Sequence, residues 1–154
     1  MSHGPKFSSH YWASEFDESA TNEQAMHMTG LVWYFTVEAV KPVLESGTYT
    51  CAWRFKIEQQ SQLSHLDLYT AQQPIAEGVI PQFVVTREQQ ETFRGRGWFY
   101  MVIRGVQLEA GKRVHVLVRE THEAHRHYWV DCAVVLPTVL LEGVFPVDKT
   151  IFLN

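Results

Sequence analysis

Long apolar runs are missing from this sequence: no stretch approaches the roughly 18 residues that a membrane-spanning helix needs. Basic residues are scarce as well, with 13 Lys and Arg against 17 Asp and Glu and a net charge of −4. A chain with that balance has no cationic field to hold a phosphate backbone, which argues against a nucleic-acid partner. Cysteine is nearly absent, with Cys51 and Cys132 the only two. Each lies in an alternating apolar stretch and reads as a small buried hydrophobe, not as half of a disulfide. The opening residues MSHGPKFSSHYW lack the apolar core of a signal peptide, so the expectation is a cytoplasmic or nuclear protein, where disulfides are rare. Also missing is any sustained 3.6-residue apolar period. No nucleophile elbow, phosphate loop or dinucleotide fingerprint occurs, and nothing in the chain calls for a cofactor.

What is present in excess is aromatic. Phe, Trp and Tyr make up 13% of 154 residues, five of them Trp, within a chain that is 45% hydrophobic. That suits one domain with a sizeable core. Residues 1–10 are polar and expected to be a flexible N-terminus, leaving 11–154 as a single domain. The clearest pattern runs from Gly30 to Ile57. Tyr49, Cys51, Trp53, Phe55 and Ile57 share one face of a strand, and Thr50, Ala52, Arg54 and Lys56 the other. Ahead of it, Leu31, Trp33, Phe35 and Val37 alternate with Val32, Tyr34, Thr36 and Glu38, which places Trp33 and Trp53 in the core.

Further strands are expected at Gln82–Thr86, Trp98–Arg104, Arg113–Glu120 and Tyr128–Leu136, with others in VLLEGVF (139–145) and in the tail PVDKTIFLN. Residues 17–29 read as a loop or short helix, and Arg87–Phe93 as a polar loop. Strands this numerous, separated by turn signals, predict an all-β antiparallel sandwich or barrel.

Three groups of residues could carry chemistry. His122, His125 and His127 lie close together, with His115 upstream. They lack the helical two-His spacing of a zinc protease, because Arg126 stands where the second His belongs. On a strand, His125 and His127 could supply two metal ligands, with a third from His115 or Glu120. Glu120, Glu123 and Asp131 could pair as carboxylates for glycoside hydrolysis, although loop carboxylates are commonly just solvated. The aromatics outside the core, Trp12 beside Tyr11 and Trp129 beside Asp131, suit a sugar site. An aromatic face packs the C–H surface of a pyranose while carboxylates accept its hydroxyl protons.

The motif order is also that of a known family. Tyr11-Trp12, a Trp-led strand at Trp33, then LESGTYTCAWRFKI resemble the phloem protein 2 and Nictaba-like lectins. RGRGWFYMVIRG is similar to that family's Arg-x-x-Gly-Trp segment through Arg94, Gly97, Trp98 and Gly105, and RVHVLVRETHEAHRHYWVDCAVVL to its closing strands. The resemblance runs from about residue 11 to 143. It implies a jelly-roll β-sandwich of the galactose-binding-like kind and a non-catalytic lectin for GlcNAc-containing glycans or glycoproteins, often dimeric. On that reading Tyr11 and Trp12 stack on the sugar while Glu120, Glu123 and Trp129 face them. Two alternatives stand beside it: a protein-interaction scaffold on the same sandwich, and a metal-dependent enzyme built on His115, His122, His125 and His127.

Overall fold

The computed structural model describes residues 6–7, 12–29, 32–120, 124–138 and 143–154. Among the described residues, eleven strands form two sheets. In chain order they are β1 (Lys6–Phe7), β2 (Trp12–Phe16), β3 (Gln24–Met28), β4 (Phe35–Pro42), β5 (Gly47–Gln62), β6 (Leu66–Ala71), β7 (Phe83–Val85), β8 (Trp98–Leu108), β9 (Arg113–Glu120), β10 (Arg126–Pro137) and β11 (Thr150–Phe152). The first sheet has the order β1-β4-β9-β6-β7 and the second β11-β8-β5-β10-β3-β2. All pairings are antiparallel except β11 with β8. The molecule is an all-β jelly-roll β-sandwich.

The alternation in the sequence builds the space between the sheets. β5 sends Cys51, Trp53, Phe55 and Ile57 inward, each at most 1% exposed. They meet Val114, Val116 and Val118 from β9 and Phe35, Val37 and Ala39 from β4 in one continuous core. Burying each large apolar side chain contributes about 1.5–3 kcal/mol, so this layer dominates the favourable side of folding. Both cysteines are free thiols. Burial pushes the Cys51 thiol up to about 12.

Where the sequence pattern fails, an irregularity of the backbone is the reason. Trp33 is 65% exposed, not buried. Val32 is bridged to His125 through two backbone hydrogen bonds of 3.0 Å, the chain bends at Trp33, and Phe35 resumes the inward face. The inward positions are therefore three residues apart, and both intervening aromatics turn outward. In β10 a register shift between Val130 and Cys132 inverts the later alternation. Ala133 and Val135 face the core in place of Cys132 and Val134.

The expected polar loop after Thr86 contains a one-turn helix, α1 (Arg87–Glu91). It opens on a reciprocal cap in which Thr86 accepts from the Gln89 N–H and Gln89 accepts from the Thr86 N–H. Residues 17–29 hold β3 where a loop or helix was expected. Within 1–10, Lys6–Phe7 is a short strand paired with Val37–Glu38, not a free tail. Of VLLEGVF, 139–142 lie outside the described residues and 143–145 form a turn, whereas the tail supplies β11.

Candidate functional site

One end of the sandwich brings exposed aromatic side chains close to a polar cluster. There β4 begins, β9 ends and β6 begins, side by side in the first sheet. Phe35 pairs with Glu120 and Val32 with His125, so Trp33 and Tyr34 occupy the interval between those two pairings. The two rings are 65% and 63% exposed. Leaving such large rings in water forgoes about 1.5 kcal/mol or more apiece, which makes an adjacent exposed pair informative.

Across the same end lies His65, immediately before β6. Its Nε2 is 3.1 Å from Glu120 Oε2 and 3.7 Å from Asp67 Oδ1. Glu120 is fully buried, whereas the His65 side chain is 30% exposed. Glu120 therefore orients the imidazole from beneath, and His65 presents the polar edge. Two strand spacings, roughly 10 Å, separate β4 from β6 here.

A buried polar layer holds this end rigid. The Tyr128 hydroxyl donates to Gln90 Oε1 at 2.5 Å and accepts from the Ser64 N–H at 3.2 Å. The Gln90 amide donates to the Ser64 carbonyl at 2.8 Å, and Ser64 Oγ lies 3.3 Å from His125 Nδ1. Burial pushes the Tyr128 phenol well up, so it remains a neutral donor. These bonds fix the segment between β5 and β6 and the start of β10, the two supports on which the rim stands.

Among the described residues, those singled out in the sequence are not gathered into one site. Trp12 faces the core, edge-on to Phe35 at 5.8 Å. Trp129 is on the opposite, outer face of the second sheet, stacked on His27 at 4.0 Å with Lys56 Nζ 4.4 Å from its ring. The sheet itself separates the two tryptophans, so they do not line one pocket. Glu120 is buried beneath His65, and Tyr11 and Glu123 lie outside the described residues. Asp131 pairs with Arg54 on the second sheet at 2.5 Å, which removes it as a carboxylate partner for Glu120.

The histidines are dispersed too. His115 faces Glu38 on the first sheet, His125 is packed against Phe35 and Tyr128, His127 meets His27 on the second sheet, and His122 is outside the described residues. Among the described residues no three His, Cys, Asp or Glu converge to hold a metal. His115, His125 and His127 are not brought together. Trp33, Tyr34 and His65 were missed; the three-residue spacing of Val32 and Phe35 was the one local clue to the first two.

No protein-family model matches the sequence, and no curated protein does. Solved structures match in fold. A family 35 carbohydrate-binding module from Paenibacillus barcinonensis superposes with a TM-score of 0.55 at 16% identity, over 88% of this chain and 94% of that one. A native family 35 module from Clostridium thermocellum gives 0.56 at 15% identity, over 86% and 92%. The exo-β-1,3-galactanase of Phanerochaete chrysosporium, solved with β-1,3-galactotriose, gives 0.52 at 11% identity, over 86% of this chain and 26% of the enzyme. At these identities the likeness is one of fold.

Proposed function

We propose that this protein is a non-catalytic carbohydrate-binding module whose ligand stacks on Trp33 and Tyr34. The observation that carries the reading is the pair of adjacent exposed aromatics on a rigid end of a jelly-roll sandwich. A pyranose packs its C–H face on the indole, and His65, oriented by Glu120, hydrogen-bonds a hydroxyl across the rim. The fold neighbours that are carbohydrate-binding modules support the same reading. The reading stops at binding: among the described residues Glu120 and Asp131, two of the carboxylates that could have paired for hydrolysis, sit on different sheets and are engaged by His65 and Arg54. The resemblance to Nictaba-like lectins makes GlcNAc oligomers the first ligands to try. Stacking on one or two rings gives weak single-site binding, which a dimer would strengthen through avidity.

The experiment is a glycan array followed by titration calorimetry with chitin oligosaccharides and β-linked galactans. Trp33→Ala is expected to weaken binding at least tenfold, and Tyr34→Ala several-fold, with the melting temperature unchanged because both rings are already in water. A protein that binds no glycan, or a Trp33→Ala variant that binds like the parent, refutes the proposal.

A further inference from the structure

The outer face of the second sheet carries a pair of histidines that the glycan reading does not use. His27 on β3 and His127 on β10 present Nε2 and Nδ1 to each other at 3.1 Å. Their rings are nearly parallel, with centroids 5.3 Å apart and an interplanar angle of 27°. His27 is held on both remaining sides: its Nδ1 bonds the Glu15 carboxylate, and its ring is stacked on Trp129 at 4.0 Å. His127 stands at a register shift in β10 with a φ of 60°, an uncommon conformation for a residue with a side chain. A bulge of this kind re-aims a side chain, and here it turns the imidazole toward His27.

We propose that His27 and His127 form a binding site for a first-row divalent transition ion, with water completing its coordination. The arrangement of His27 is that of a metal ligand: one ring nitrogen faces His127 across the ion position, and the other is oriented by a carboxylate that raises the ring's basicity. The separation also fits. An ion about 2.05 Å from each nitrogen, across the observed 3.1 Å gap, subtends roughly 98° between them, between the square and tetrahedral values. Each lone pair must tilt by about 40° from the line joining the nitrogens. His27 is fixed by Glu15 and Trp129, so His127 makes the larger turn.

No proton need be lost. With His27 donating to Glu15, its Nε2 accepts from His127 Nδ1–H. On binding, the His127 proton moves from Nδ1 to Nε2 through solvent and frees the Nδ1 lone pair. Burial, and then the nearby His27 and Arg126, hold His127 below the usual imidazole value, while Glu58 acts in the opposite sense. The negative charge of Glu58 also favours a cation here, whereas Arg126 opposes it. Imidazole donors select zinc, nickel and copper over calcium and magnesium.

The test uses untagged, chelator-stripped protein titrated with Zn2+, Cu2+ and Ca2+ by calorimetry and tryptophan fluorescence. One equivalent of Zn2+ is expected to bind, Ca2+ is not, and bound Cu2+ is expected to quench Trp129. His27→Gln and His127→Asn should each weaken Zn2+ binding at least tenfold, and His115→Gln should leave it within twofold. Asparagine tolerates the left-handed backbone at this position, so the His127→Asn variant decides the matter if His27→Gln misfolds. No Zn2+ binding at 1 mM, or unchanged affinity in His127→Asn, overturns the proposal whatever the outcome of the glycan experiments.

Discussion

Replacing Asp17 by asparagine isolates one ion pair whose contribution can be worked from its geometry. Asp17 lies in the segment between β2 and β3 that folds over the outer face of the second sheet, where it pairs with Lys56 and accepts from the Ser19 N–H at 2.9 Å. The side chains of Asp17 and Lys56 are only 13% and 17% exposed. Burial alone would raise the carboxyl; hydrogen bonds from Lys56 and Ser19 outweigh it and bring the group down from 3.8 to about 2. At roughly 1.36 kcal/mol per tenfold change in proton affinity, that fall is worth about 2 kcal/mol.

The sign follows from linkage. A depressed carboxyl stabilises the fold fully above its unfolded value, near 4, and loses that contribution as pH falls toward 2. The side-chain amide of the Asp17→Asn variant still offers an oxygen to Ser19 but no charge to Lys56. Urea denaturation at pH 7 is expected to show the variant about 1–2 kcal/mol less stable, a melting shift of about 3–8 °C for a chain of this size. The gap should close between pH 4 and pH 2. Equal stability at pH 7, or a gap that persists at pH 2, would show that Lys56 does not hold this carboxyl.

Other substitutions probe other layers. Trp53→Ala empties the centre of the core, and chemical denaturation should record a loss of about 3–5 kcal/mol. Tyr128→Phe leaves Gln90 Oε1 and the Ser64 N–H without the hydroxyl they share, a loss of about 1–3 kcal/mol by the same assay. At Gly95, with φ of 69°, an added Cβ would run into the Gln59 side-chain amide, so Gly95→Ala should cost about 1 kcal/mol or more. With its thiol at about 12 and fully buried, Cys51 should resist alkylation at pH 8 until the protein is unfolded, as followed by mass spectrometry.

The regular parts of this fold were legible and the irregular parts were not. Nine alternating residues from Tyr49 to Ile57 gave the right inward face of β5, because a strand buried on one side repeats every two residues. The same rule misplaced Trp33, where a bend between Val32 and Phe35 adds a residue to the period, and Cys132, which follows a bulge and is only half-buried. Neither irregularity has a Gly or Pro to announce it. The candidate sites were less legible still. His65 meets Glu120, and His27 meets His127, only through strand pairings between distant segments. Counting histidines along the chain pointed instead to His115, His122, His125 and His127; of these His115 faces Glu38 on the first sheet, His125 is packed against Phe35 and Tyr128, His127 lies on the second sheet, and His122 is outside the described residues.

The central position of β5 also has a kinetic consequence. Trp53 pairs with Met101 on one side and with Ala133 on the other, both dozens of residues further along the chain. During synthesis this sixteen-residue strand is therefore complete well before either neighbour exists. Its apolar face and both hydrogen-bonding edges must wait uncovered for that interval. Folding limited by such late, distant partners falls in the millisecond-to-second range, and the waiting strand is where self-association competes with it. Charged Arg54 and Lys56, alternating with the core residues, leave one face of the waiting strand soluble.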